Sequence, residues 1–379
     1  MTTSVMLVAG ETSGDHHGAA LAQRLRQTRP DLKIFGMGSQ HMRSADVELL
    51  VDCKNIAVVG IVEVLAHWSE IQAALKTLRS ALANRKPDLL ILIDYPEFNL
   101  KLAEAAKALG IKVLFYISPQ IWAWRSYRVK RIGKLVDMMA VVFPFEVSFY
   151  QQAGIPVRFV GHPLAQSVKP KRAIEDAKKY FGLNLTSKTV ALMPGSRRGE
   201  IKRLLPVMLD AAAILQQDIQ NVQFILPIAP NLDRHAIQQQ IDSRKLTITL
   251  VDSHEFYDVI NIADAAITAS GTATLETALL GTPMVIIYKV APLSYSILRH
   301  LIKIKNIGLA NIVAERTVVP ELIQDNASSE NIAREIQLML IDDLYNKKLR
   351  DDLAIVKEKL GQIDGTEGIS QLALEMLEQ

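Results

Sequence analysis

Cys53 is the only cysteine in the 379 residues, so neither a disulfide framework nor a cysteine metal site can form within one chain, and a reducing compartment suits it. Excess charge of one sign is also missing. The 43 Lys and Arg residues against 40 Asp and Glu leave a formal net charge of +3, too balanced for a general nucleic-acid binder. Any anion must therefore be bound locally. No stretch of roughly 18 uncharged apolar residues occurs, and Met1 to Gly10 lacks both a basic start and a long apolar core. The expectation is a chain without signal peptide or spanning helix, soluble or lying on a membrane surface.

Several catalytic signatures are absent as well. There is no GxxxxGK[ST] phosphate loop, and Gly36-Met37-Gly38 lacks the third glycine of a dinucleotide fingerprint, which weakens kinase and dehydrogenase readings. No HExxH is present, and the adjacent His16-His17 cannot easily turn both rings to one ion. No GxSxG elbow supports a hydrolase. Neither a metal nor any other cofactor is expected.

What the chain does have is alternation. Apolar runs at Val5 to Ala9, Leu89 to Ile93, Val113 to Ile117 and Met138 to Phe143 are separated by stretches of helical period such as Leu100 to Leu109. The pattern restarts after Gly161-His162-Pro163, with runs at Val190 to Met193, Phe224 to Ile228, Ile248 to Val251, Ala265 to Thr268 and Met284 to Tyr288. Such alternation predicts parallel strands with crossover helices. At 49% hydrophobic residues each half can bury a core, and the polar, proline-bearing Ser167 to Arg172 is the natural linker. The predicted class is α/β, with two Rossmann-like doubly wound domains facing a central cleft: residues 1–166, then 167–345, then a helical tail, 346–379.

Two segments of the second half carry the strongest chemical signal. Met193 to Arg203 (MPGSRRGEIKR) and Ala269 to Pro283 (ASGTATLETALLGTP) each set a small-residue turn between a strand and a helix. Free N–H groups at a positive helix end, joined by arginine, suit a diphosphate, so the expected ligand is a nucleotide. In the first segment Gly195 permits close approach, Ser196 can donate its hydroxyl, and Arg197 offers a fork matched to phosphate oxygens. In the second, Ser270, Gly271, Thr272 and Thr274 supply donors, and Glu276 could accept both hydroxyls of a ribose. Plain capping by Ser196 and Thr272, with Glu276 as a favourable charge on the helix dipole, remains the structural alternative.

Five segments, four of them in the first half, are less decided. Ala9 to Asp15 (AGETSGD) puts Glu11, Ser13 and Asp15 at a strand end, as substrate contacts or as helix caps. Asp94 closes the strand Leu89 to Ile93 and is a candidate general base, or else a cap or salt-bridge partner. Gln120 to Arg131 mixes Trp122, Trp124 and Tyr127 with Arg125, Arg128, Lys130 and Arg131, which fits a phosphorylated amphiphile or a solvated basic helix face. The apolar stripe Ile61, Val64, Leu65, Trp68, Ile71, Leu75, Leu78 and Leu82, widened by Val62 and Ala66, reads as core, or over Gly60 to Trp68 as a surface dipping into a bilayer. Leu293 to Lys305 leaves the same two readings open.

Taken in order, AGETSGD, GIVEVL (Gly60 to Leu65), Asp94 with YPEFNLKLA, SPQIWAWR, FPFE, VGHPL, PGSRRGEI and SGTATLE resemble the lipid-A-disaccharide synthase family, glycosyltransferase family 19, from Ala9 to about Gln324. The resemblance implies a GT-B fold and inverting transfer of 2,3-diacylglucosamine from its UDP derivative to the 6-hydroxyl of 2,3-diacylglucosamine 1-phosphate, in lipid A synthesis. On matching positions, Asp94 is the implied base, Gly195, Ser196 and Arg197 hold the diphosphate, Ser270 to Thr274 add donors, Glu276 meets the ribose, and Asn311 makes a polar contact near the leaving group. Glu11, Ser13, Asp15, Trp124, Arg125 and Arg128 fall to the acceptor, and Ile61, Val62, Val64, Leu65, Trp68 and Ile71 to acyl chains or membrane. Thr12 and Tyr95 stand where the family often has alanine, which bears on acceptor contacts. The implied setting is the cytoplasmic face of the inner membrane, without nucleic acid, with a homodimer and exchanged C-terminal helices as possibilities. A GT-B UDP-sugar epimerase, which needs no oily surface, and a noncatalytic UDP-sugar sensor, which needs no Asp94, are the competing readings.

Overall fold

The computed structural model describes residues 3–55, 67–119, 121, 129–291 and 305–378. It divides into two compact units, Met1–Gln166 with Leu360–Gln379, and Ser167–Lys359. The tail is thus shared: residues from Leu360 onward join the first unit, whereas 346–359 stay with the second.

The first unit is built on seven strands: β1 (Ser4–Ala9), β2 (Lys33–Gly38), β3 (Glu48–Asp52), β4 (Leu89–Ile93), β5 (Lys112–Tyr116), β6 (Met138–Val141) and β7 (Val157–Phe159). Their order is β3-β2-β1-β4-β5-β6-β7 and every pairing is parallel. The central strand β4, sequence LLILI, is wholly buried, because a parallel sheet is covered on both faces and rewards an unbroken apolar run. Helix Trp68–Arg85 buries Ile71, Ala74, Leu75, Leu78, Ala81 and Leu82, a stripe at helical spacing, against this sheet and helix Pro96–Ala108. Truncating Leu78 there would cost about 2–5 kcal/mol. The last helix, Gly365–Glu378, packs on helix Thr12–Thr28, β4 and β5.

The second unit repeats the plan with β8 (Lys188–Met193), β9 (Val222–Ile228), β10 (Ile248–Asp252), β11 (Ala265–Ala269), β12 (Met284–Tyr288) and β13 (Glu321–Ile323). The order is β10-β9-β8-β11-β12-β13, again all parallel. The expected linker is pinned to this unit: Asp258 accepts from the Lys171 and Arg172 N–H groups, and Arg172 also pairs with Glu255. In each unit strand order reverses once, between β1 and β4 and between β8 and β11. Loops at the carboxyl ends of those strands border a crevice open to ligands.

Candidate functional site

In the first unit the reversal brings the Gly10-Glu11 turn beside Asp94 and Tyr95. Both of the latter are in the left-handed region, each with φ of 47°, an uncommon conformation for two consecutive non-glycine residues. The Asp94 N–H donates to the Tyr116 carbonyl at 3.0 Å, and Pro96 starts the following helix. The Tyr95 ring lies so close over Gly10 that a Cβ there would stand 2.2 Å from it. Burial pushes the Asp94 carboxyl up to about 6, the negative charge of Glu11 adds to this, and a hydrogen bond from the Tyr95 N–H opposes it. A carboxylate with raised proton affinity, still ionised near neutrality, is suited to general-base work.

Two expected acceptor contacts share this turn, but a third is corrected. Glu11 is half-buried at the head of helix Thr12–Thr28 and Ser13 is exposed. Asp15 is 1% exposed, and its oxygens accept from the Ser39, His41 and Met42 N–H groups at 2.6, 2.9 and 3.1 Å. A carboxylate so enclosed closes the turn after β2 and has no face left for a substrate. Trp124, Arg125 and Arg128 lie outside the described residues, as do Ile61, Val62, Val64 and Leu65, and all of Leu293 to Lys305 except its last residue. Of the apolar stripe's described members, Trp68 is 48% exposed with Lys101 over its ring, whereas Ile71 is core, which removes it from any membrane surface.

In the second unit a cavity of about 610 Å³ opens at the β8/β11 reversal. Gly195, Ser196 and Arg197 line one side, Ser270, Gly271, Thr272 and Glu276 another, and Ser253 to Tyr257 contribute His254, Phe256 and Tyr257. Helix Arg198–Asp218 starts directly after this turn, because the Glu200 carboxylate returns to the Arg197 N–H and closes the first turn. Gly195 has φ of 98°, and a Cβ on it would meet Glu200 Oε2 at 2.4 Å. The positive φ and this contact therefore favour glycine at the turn. The Arg197 side chain is 79% exposed, and its guanidinium touches Glu200 at 3.4 Å.

Glu276 is half-buried, and burial raises its pKa while a hydrogen bond from Tyr257, Oη to Oε1 at 3.0 Å, lowers it. That bond fixes one oxygen of a carboxylate that lines the cavity. Sequence reasoning missed Tyr257, since nothing local links it to a glutamate nineteen positions later. Ser270 donates to the Ile307 carbonyl at 3.1 Å, keeping the turn closed.

Two further expectations are corrected here. Thr274 is fully buried and its hydroxyl donates to the Gly271 carbonyl at 2.8 Å, so it braces the helix start and offers nothing to a ligand. Asn311 is also fully buried: its oxygen accepts from the Val318 and Val319 N–H groups, and its amide donates to the Val319 carbonyl and to Glu321. With its capacity spent inside the fold it makes no open contact. Through Glu321, which accepts from the Ile307 and Gly308 N–H groups, it steadies the loop that receives the Ser270 hydroxyl.

A family model described as lipid-A-disaccharide synthetase matches residues 5–373. Lipid-A-disaccharide synthases of Geobacter sulfurreducens and Nitrosococcus oceani are 53% and 48% identical to this chain, covering 98% and 99% of it and 97% and 96% of their own lengths. Among solved structures, a putative UDP-N-acetylglucosamine 2-epimerase from Listeria monocytogenes has a TM-score of 0.67 at 12% identity, covering 99% of this chain and 96% of its own. MurG of Acinetobacter baumannii has a TM-score of 0.61 at 16% identity, covering 99% and 100%. Identities so low speak to fold alone, and that fold is GT-B.

Proposed function

The chain belongs to the lipid-A-disaccharide synthase family of glycosyltransferases, enzymes of lipid A biosynthesis, and from that premise we propose its specific reaction. UDP-2,3-diacylglucosamine and 2,3-diacylglucosamine 1-phosphate give the β-1,6-linked disaccharide 1-phosphate and UDP. The observation that carries this reading is the second unit's cavity, in which an arginine fork, a glycine turn and a carboxylate stand within one switch-point crevice.

The β-phosphate and its neighbour lie against the Gly195 to Arg197 turn, where N–H groups and the guanidinium meet charge as it develops. Glu276, oriented by Tyr257, accepts the ribose hydroxyls. Asp94 takes the proton from the acceptor 6-hydroxyl, the freed oxygen attacks the donor's anomeric carbon from the face opposite UDP, and the carbon–oxygen bond to the diphosphate breaks with its electron pair on UDP. Configuration inverts because one displacement occurs. The charge on UDP is met by arginine and helix N-termini without a divalent ion, so chelator should leave turnover unchanged.

The acyl chains explain exposed apolar surface. Among the described residues no helix is long and apolar enough to cross a membrane. Trp68, large and exposed at a helix start, supports peripheral contact with the bilayer that supplies both lipids. An epimerase reading, which shares the fold, loses its ground to the family assignment. The deciding experiment is an assay with both acylated substrates in detergent: Asp94→Ala should abolish turnover and spare UDP binding, and full activity in that variant removes Asp94 from its role.

A further inference from the structure

Asn99 lies in the first turn of helix Pro96–Ala108, fully buried, with its side chain turned back to the end of β4. Its Nδ2 donates to the Ile93 carbonyl at 3.2 Å and to the Asp94 carbonyl at 2.6 Å. Its backbone N–H meets the Tyr95 carbonyl at 3.1 Å. One residue thus grips three successive carbonyls of the segment that is forced into two consecutive left-handed conformations. The amide cannot be turned over, since Oδ1 would then face two carbonyl oxygens. In the orientation that remains, Oδ1 is buried and accepts no hydrogen bond. An unpaired buried acceptor is a standing cost, so packing alone does not account for an amide here. An apolar side chain of the same shape would avoid that cost and lose only the grip on the strand end.

We propose that Asn99 is a positioning residue for the transfer reaction, clamping the left-handed turn that aims the Asp94 carboxylate at the acceptor hydroxyl. This rests on Asp94 being the base. Without the clamp the turn relaxes toward ordinary backbone angles and the carboxylate moves from its buried position toward water. A displacement of about 1 Å is enough to lower a rate about 100-fold. Donor binding, which belongs to the other unit, is untouched.

The test compares Asn99→Ala and Asn99→Ser with Asp94→Asn in the full-length protein, using both acylated substrates. Asn99→Ala should lower kcat about 10–100-fold with UDP affinity little changed. The acid limb of its kcat profile should move below that of the wild type, since Asp94 is no longer held in its buried setting. Asn99→Ser, which keeps one donor, should recover part of the rate. A fall in kcat with an unmoved acid limb, or no fall at all, overturns the inference if Asp94→Asn is inactive. If Asp94→Asn stays active, the base assignment itself is wrong and the role of Asn99 falls with it.

Discussion

Replacing Asp94 by asparagine should make the protein inactive and more stable. Burial and the nearby Glu11 raise this carboxyl from its ordinary 3.8 to about 6, so the folded state bears a penalty whenever Asp94 is ionised. Because the folded pKa is the higher one, the penalty is absent well below pH 4, where both states are protonated. It grows as pH rises through the interval and is complete above about pH 7. At about 1.36 kcal/mol per pH unit the ceiling is about 3 kcal/mol. The amide accepts the Tyr95 N–H more weakly than the carboxylate does, which leaves an expected gain of about 1–2 kcal/mol. For a unit of this size that is on the order of 4 °C in the melting temperature. Thermal unfolding at pH 7.5 and pH 5, followed by hydrogen exchange of β4 amides to isolate the first unit, reads the effect. At pH 5 the penalty is about half as large while the weaker amide bond still counts in full, so the gain should nearly vanish. Equal stability of wild type and variant at pH 7.5 refutes the claim that burial strains Asp94, and a stabilised variant with normal turnover refutes its catalytic role.

Tyr257→Phe should weaken UDP binding about 3–10-fold, since the oriented oxygen of Glu276 loses its donor. Because that bond lowers the Glu276 pKa, the variant's affinity should also start to fall at a higher pH than the wild type's on acidification, as calorimetric titration would reveal. Gly195→Ala should cost at least about 10-fold in UDP affinity while far-UV dichroism stays the same, as φ of 98° and the Glu200 contact force the loop to move. Asp15→Ala should destabilise the first unit by about 2–4 kcal/mol in denaturant melts without changing UDP affinity, because three N–H groups lose their acceptor. Trp68→Ser should reduce sedimentation with anionic vesicles, and unchanged partitioning would remove Trp68 from the membrane surface.

Much of this molecule was legible in one dimension. Strands such as Leu89–Ile93 and Met284–Tyr288 have the bounds read from their apolar runs, because a parallel strand covered on both faces must be apolar throughout. Less central strands left weaker signals: β3, β7 and β13 are partly buried or very short edge strands, and β2 carries two glycines that looked like a broken fingerprint. The Gly195 to Arg197 and Ser270 to Glu276 turns were visible as small residues between strand and helix, since turn geometry is a local matter of φ and side-chain size. Which hydroxyl or carboxylate stays open was decided only by folding. Asp15, Thr274 and Asn311 have the right chemistry for a ligand, yet backbone groups brought by distant or neighbouring turns consume it. Tyr257 and Asn99 gain their roles the same way, from partners that strand order sets beside them. Residue type fixes what a group can offer, whereas three-dimensional neighbours fix whether the offer is already taken.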